Sequence, residues 1–327
     1  MHITILGGGG FLGRKLAERL ATDGQLGGRA ISGLLLFDLA APKPLAAPFP
    51  VRCLGGDVTC AAALAEAIPP HTDAVVHLAA VVSAAAEADL DLGLKVNVQG
   101  TLAVLQACRA LAKPPRVLFT SSVASFAGGQ RANLPDDARQ LPGNSYGAQK
   151  AIGELLLQDA SRKGLLDAVS LRLPTVIVRP GRPNKAASSF FSGILREPLL
   201  GLESALPVPE EFRVWVCSPR RAVEWFLHAL TMDTAGLGTD RGVNPPGLSV
   251  SVAEMLAALE AVGGSAARAL VKLVPDHEIA AIVGTWPASF TAERARRLGF
   301  SQQEGVADIL RAFIAHDLAA TRAERGA

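Results

Sequence analysis

Tyrosine occurs once among the 327 residues, at Tyr146, and all aromatic residues together make up 5% of the chain. Charge of either sign is scarce in excess: 32 Lys and Arg stand against 30 Asp and Glu, and no basic run forms a tail or stripe. A formal charge of +2 is too small to hold nucleic acid by bulk electrostatics. Cys53, Cys60, Cys108 and Cys217 have neither CxxC nor Cys/His ligand spacing, which argues against structural zinc or a disulfide framework. No metal is expected, and a reducing cytoplasm is. The opening "MHITILGGGG" runs straight into an apolar strand, without the charged stretch and cleavage site of a signal peptide. The longest apolar run, "AVVHLAAVVSAAA" from Ala74, is too short to span a membrane and carries His77. It reads as a buried strand with its loop, and membrane association is not expected.

With 49% apolar and 19% charged residues the chain reads as globular. From residue 1 to about 180, short Val, Ile and Leu runs ("ITIL", "LLLF", "VVHLAA", "RVLFTS", "AVSLRLPTVIV") alternate with helical periodicity. Strands so continuously apolar are buried on both faces, which predicts an α/β domain with a doubly wound parallel sheet. Beyond residue 180 the chain becomes punctuated by proline, with helical segments near "RRAVEWFLHAL", "SVAEMLAALEAV" and "VADILRAFIAHDL". A smaller mixed C-terminal region over 181–327 is expected to cover the open end of the sheet, with a segment near 220–245 returning to the first domain.

The stretch "ITILGGGGFLGRKLAERL" sets Gly7, Gly10 and Gly13 between a strand and an amphipathic helix. A dinucleotide pyrophosphate needs such a turn: one glycine to bend, one to admit the phosphate, one to let the helix pack closely with its N-terminus toward the anion. "LLLFDLA" ends the next strand in Asp38, where a carboxylate accepts from ribose hydroxyls and repels a 2′-phosphate, favouring NAD over NADP. The interval from the glycines exceeds the usual ~20 residues because of the loop "TDGQLGGRAISG". In "GGDVT", Asp57 can meet adenine or serve as an ordinary turn acid. Ala79 and Ala80 leave room at a strand end, and His77 reads as a packed core histidine.

Four residues after the lone tyrosine stands Lys150, on the same helix face. A phenol, with its ordinary pKa near ~10, is a poor base at neutral pH. A neighbouring ammonium and a cationic nicotinamide stabilise the phenolate. A base of this kind is what alcohol oxidation requires, since the hydroxyl proton must leave as the hydride does. Ser121 and Ser122 end the strand "VLFTSS", at the sheet edge where ligands of open α/β folds bind, and either could hold the substrate oxygen. A surface helix pair would show the same YxxxK spacing. The glycine turn and strand-end serines, in this order, argue for chemistry.

The glycine turn, Asp38, Asp57, "HLAA", "NVQG", "TSS" and "YGAQK" together resemble an extended short-chain dehydrogenase/reductase over nearly the whole chain. That resemblance implies a Rossmann fold, NAD as cofactor, Ser122 and Tyr146 as catalytic residues, and Lys150 both catalytic and bound to the nicotinamide ribose. It implies cofactor contacts at Gly7, Gly10, Phe11, Leu12, Asp38, Asp57, Val58, Leu78, Ala79, Ala80, Asn97, Tyr146, Lys150 and Pro174, with Asn97 supporting the site architecture. Val123, Ala124 and Ser125 stand where sugar dehydratases carry acids, which disfavours elimination. The segment "LPTVIVRPGRPNKAASSFF" gathers Arg179, Arg182, Asn184, Lys185, Ser188 and Ser189, a set suited to a small polyhydroxylated carboxylate held alongside Ser122. Longer segments resemble family members that oxidise the C2 hydroxyl of a four-carbon sugar acid. A nucleotide-sugar epimerase is the alternative, and an NAD-sensing regulator a further one. Family precedent implies a homodimer through two helices on one sheet face, including the Tyr146 helix.

Overall fold

The computed structural model describes residues 1–126, 129–183 and 186–326. Among them the main sheet has seven strands: β1 (His2–Leu6), β2 (Gly33–Asp38), β3 (Val51–Gly55), β4 (Ala74–His77), β5 (Arg116–Ser122), β6 (Asp167–Leu173) and β7 (Gly242–Val243). Their order across the sheet is 7-6-5-4-1-2-3, and every pairing is parallel. This is the doubly wound α/β arrangement expected from the alternating apolar runs. Its switch in strand order falls between β1 and β4, which opens a crevice at the carboxyl ends of those strands.

The strands' alternating side chains feed two separate cores. Ile3, Ile5, Leu34, Leu36, Val76 and Leu118 pack with Leu16 and Leu20 of helix Phe11–Asp23 and with Phe226 of helix Pro219–Thr231. Leu6, Leu35, Phe37, Val75, Val117 and Phe119 point the other way, onto Leu64, Leu105 and Leu157. Both faces are therefore covered, and neither needs polar alternation.

Helix Ser145–Arg162 brings the tyrosine to the sheet. Asn144 caps it, its Oδ1 accepting from the Gly147 N–H at 2.8 Å. A Cβ on Gly147 would stand 2.2 Å from the Ala124 carbonyl oxygen. Only glycine permits this close approach of the helix's first turn to the chain leaving β5, and that approach carries Tyr146 to the end of the strand.

The C-terminal residues form a third core. Strands Thr175–Val176, Arg213–Cys217 and Leu248–Ser251 make a small mixed sheet. Helices Ser189–Leu199, Val252–Ala269 and Val306–His316 pack on it through residues such as Phe191, Leu195, Met255, Leu259 and Phe313. Tyr146 and Trp286 lie against this cluster, so its edge meets the carboxyl end of the main sheet. Helix Pro219–Thr231 and β7 belong instead to the main sheet, β7 pairing with Ser170 and Leu171 of β6. No described helix is long and apolar enough to cross a membrane. Among the described residues no His, Cys, Asp and Glu cluster could hold a metal ion.

Candidate active site

One cavity of about 290 Å3 joins the glycine turn to the tyrosine helix. Gly7, Gly10, Phe11, Leu12, Leu78, Ala80, Ser122, Tyr146, Lys150, Pro174, Arg179 and Ser188 all line it. The local cause is topology: Leu6, His77, Ser122 and Leu173 end β1, β4, β5 and β6, whose parallel register delivers their next residues to one edge.

Tyr146 is half-buried and Lys150 fully buried. The ammonium lies 4.7 Å from the centre of the Phe119 ring and 5.7 Å from that of Tyr146, placements in which ring quadrupoles attract the cation. Burial pushes the Tyr146 phenol up to about 12, while the Arg179 guanidinium and the Ser122 hydroxyl pull it back. A second cation, Arg179, joins Lys150 near the phenol; burial lowers the Lys150 pKa itself to about 7. A lysine so desolvated holds its proton weakly, and the Glu154 carboxylate is what raises its affinity again.

Glu154 sits one turn beyond Lys150 on the buried helix face. It accepts from the Ser121 hydroxyl, from Gln140 Nε2 at 2.9 Å, and from Arg172 Nε at 2.9 Å and Nη2 at 2.8 Å. The two strand-end serines are thereby told apart. Ser121 is committed to Glu154, while the Ser122 hydroxyl accepts from the Ala124 N–H at 3.1 Å and acts on Tyr146.

At the other end of the cavity Gly7 has φ +88°, and a Cβ there would stand 2.8 Å from Ala79 N. A Cβ on Gly13 would come within 2.3 Å of the Gly7 carbonyl oxygen. The turn is thus closed to side chains. Asp38 accepts from Gly9 N–H at 2.9 Å and Leu39 N–H at 2.8 Å, bracing the turn beside it. Asp57 spends one oxygen on the Thr59 N–H and hydroxyl, hydrogen bonds that hold its carboxyl below the usual range; Lys95 stands 3.7 Å from the other oxygen. The Val58 side chain is buried in the core beneath Gly100. The Ala79 N–H is bonded to the Leu6 carbonyl.

Asn97 is buried within a π-helical segment, Leu94–Gln99. Its Oδ1 accepts from Val81 N–H at 2.8 Å, and its Nδ2 donates to Val81 O and to Gln149 Oε1 at 2.7 Å. Its amide therefore ties the strand-end loop to the tyrosine helix and lies outside the cavity lining. His77 is a buried core residue with its pKa lowered to about 3, first by burial and then by the Lys150 charge. The Thr101 hydroxyl donates to the Asn97 carbonyl, so the 3.0 Å contact with His77 Nε2 is one in which the ring nitrogen donates.

Beyond Tyr146 lie the groups expected to meet substrate. Partly buried Arg179 donates through Nε to Val176 O at 3.1 Å and through Nη2 to Ser188 Oγ at 2.8 Å. Among the described residues no carboxylate pairs with it. Arg182 is exposed, outside the cavity lining, with Nη2 3.2 Å from the Glu324 carbonyl oxygen. Asn184 and Lys185 lie outside the described residues. Ser189 begins helix Ser189–Leu199. Trp286, Val82 and Ser83 also line the cavity, and no sequence motif assigns them a role. Trp286 comes from 140 residues beyond Tyr146, a separation that no local pattern bridges.

Residues 3–221 match the model of the NAD dependent epimerase/dehydratase family. The chain belongs to that family. As a member it is an NAD-dependent oxidoreductase. It is 48% identical over 318 residues to a D-erythronate dehydrogenase of Cupriavidus necator, covering 96% of this chain and 98% of the relative. It is 40% identical to one of Haemophilus influenzae, covering 97% and 100%. A crystal structure described as the nucleoside-diphosphate-sugar epimerase of Agrobacterium tumefaciens is 42% identical, with a TM-score of 0.91 over 98% of this chain and 95% of that one.

The residues present fit the family coenzyme. The glycine turn admits a phosphate where any Cβ would strike backbone, and helix Phe11–Asp23 directs its free N–H groups there. Asp38 and the Lys150–Tyr146 pair stand at opposite ends of the crevice. Glu154→Gln should move the acid limb of the pH profile for NAD reduction to higher pH. Loss of the anion lowers the Lys150 pKa further, less positive charge then faces the phenol, and the base ionises at higher pH. The same change strips buried Arg172 of its close partner, so thermal unfolding should report a loss of about 3–5 kcal/mol. An unmoved profile would show that Glu154 does not tune the pair.

Proposed function

We propose that this family member oxidises the C2 hydroxyl of D-erythronate, or a closely related small sugar acid, to the 2-dehydro acid while reducing NAD. The observation that carries the reading is Arg179, a partly buried guanidinium without a carboxylate partner among the described residues, facing the same cavity as Ser122, Tyr146 and Lys150. Its charge acts directly on the Tyr146 phenol. A carboxylate gripped there is one bond from the carbon whose hydroxyl meets Tyr146, which is the geometry of a 2-hydroxy acid. The relatives named for D-erythronate support the same substrate class.

In this reading the Tyr146 phenolate takes the C2 hydroxyl proton, and the Ser122 hydroxyl donates to the same oxygen as it becomes a carbonyl. NAD, when bound, would supply the hydride acceptor for C2. Lys150, in its charged form, favours the phenolate and would hold the nicotinamide ribose. Arg179 holds the carboxylate through paired N–H groups, with Ser188 fixing the plane of the guanidinium. Asp38 would hold the adenosine ribose, and Asp57 with the backbone of Val58 would hold the adenine. Donors held in place before reaction contribute most of the rate, because they need not reorganise.

The oligomer we infer is a homodimer. Helices Gly100–Arg109 and Ser145–Arg162 lie side by side and expose Leu102 at 40%, Ile152 at 39% and Leu155 at 60%. Such an apolar strip on paired helices suits self-association.

With NAD and D-erythronate the protein should accumulate NADH. Tyr146→Phe should abolish this while leaving NAD affinity nearly unchanged. Turnover of a UDP-sugar without NADH build-up would instead support an epimerase, as the Agrobacterium relative is described, and binding without turnover a sensor. In solution the mass should be twice the 33.9 kDa of one chain, and Leu155→Glu should halve it; a wild-type mass of one chain would refute the dimer.

A further inference from the structure

Trp286 carries an anomaly that the chemistry above leaves unused. The residue is 7% exposed, it lines the cavity that holds Tyr146 and Arg179, and its indole Nε1–H is enclosed without a hydrogen-bond partner among the described residues. An enclosed N–H lacking an acceptor is costly, so native structures retain one where something else provides the acceptor. The backbone around it is held firmly. Arg131 Nε donates to the Trp286 carbonyl at 2.9 Å, the Ala288 N–H donates back to the Arg131 carbonyl, and Leu134 bridges to Phe290. These ties fix the backbone that carries the indole at the cavity wall.

We propose that the Trp286 indole N–H is a specificity donor, which receives its acceptor from the substrate: a hydroxyl on the part of the acid beyond C2. This rests on the proposed reaction. There Arg179 takes the carboxylate and Ser122 with Tyr146 takes the C2 oxygen, which leaves the C3 and C4 hydroxyls as the substrate's unassigned polar groups. An enclosed donor selects by penalty: an acid without the hydroxyl leaves the N–H unpaired, whereas the right acid restores the bond. Trp286 thus selects for hydroxylation beyond C2, and Arg179 for the carboxylate.

The test compares D-erythronate with (R)-2-hydroxybutanoate, the same carbon chain carrying only the C2 hydroxyl. Trp286→Phe keeps a ring in place and removes the N–H. The ratio of kcat/KM for the two acids should collapse by about tenfold in the variant, mainly through KM for D-erythronate, and a simple packing defect would lower both values and leave the ratio unchanged. An unchanged ratio overturns the proposal. A second readout does not depend on turnover. The chain has three tryptophans, and the indole N–H resonance missing from Trp286→Phe identifies the one at issue. In the inert Tyr146→Phe protein with NAD, D-erythronate should shift that resonance downfield and (R)-2-hydroxybutanoate should not. A resonance that ignores D-erythronate overturns the proposal. If wild type reduces no NAD with either acid, the proposed reaction fails on its own, and this resonance still decides whether the indole binds a hydroxylated acid.

Discussion

Placing a phenol and an ammonium on one buried helix face, against the end of a parallel sheet, is the constraint on which the rest of the molecule turns. Burial opposes the ionised form of both groups, raising Tyr146 to about 12 and lowering Lys150 to about 7. Neither state is useful for a base at neutral pH unless other charges compensate. The structure supplies them from two sides. Glu154, held by Ser121, Gln140 and Arg172, raises the lysine from behind, and Arg179 with Ser122 lowers the phenol from the cavity. These groups come from the tyrosine helix, the ends of β5 and β6, and the first loop of the C-terminal region. A shift of any one element would alter the ionisation of the others.

The glycine turn depends on the same packing economy. Gly7 and Gly13 let β1, its helix and the Leu78–Ala79 strand end close to distances that no side chain tolerates. Gly147 does the same for the tyrosine helix against Ala124. The crevice is therefore shaped by backbone, and the chemistry is placed on its rim by side chains. Over that rim the third core, with Trp286 at its edge, forms a wall of the cavity.

Much of this was legible in the residues because it is local. Apolar runs of strand length predicted a sheet buried on both faces, and the spacing of Tyr146 and Lys150 put them on one helix face whatever the fold. Glycines between a strand and a helix mark a backbone turn by chemistry alone. What could not be read were the partnerships set by register. Ser121 stands opposite Arg172 only because β5 and β6 pair as they do, and both then reach Glu154 on the helix above. That geometry separates Ser121 from Ser122, a choice the sequence left open without the family resemblance. Arg179 as a charge felt by the phenol, and Trp286 as part of the cavity, follow from how the C-terminal region folds back. No periodicity encodes either.

The lone tyrosine gives the account its most direct test, because phenolate absorbance in this protein can come only from Tyr146. Titrating that absorbance with and without bound NAD measures the ionisation on which the proposed catalysis rests. The protein alone should hold its phenol protonated to about pH 12, and the NAD complex should ionise it at least about two pH units lower, as a cationic nicotinamide ring beside it requires. Titration curves that coincide with and without NAD would contradict the central claim.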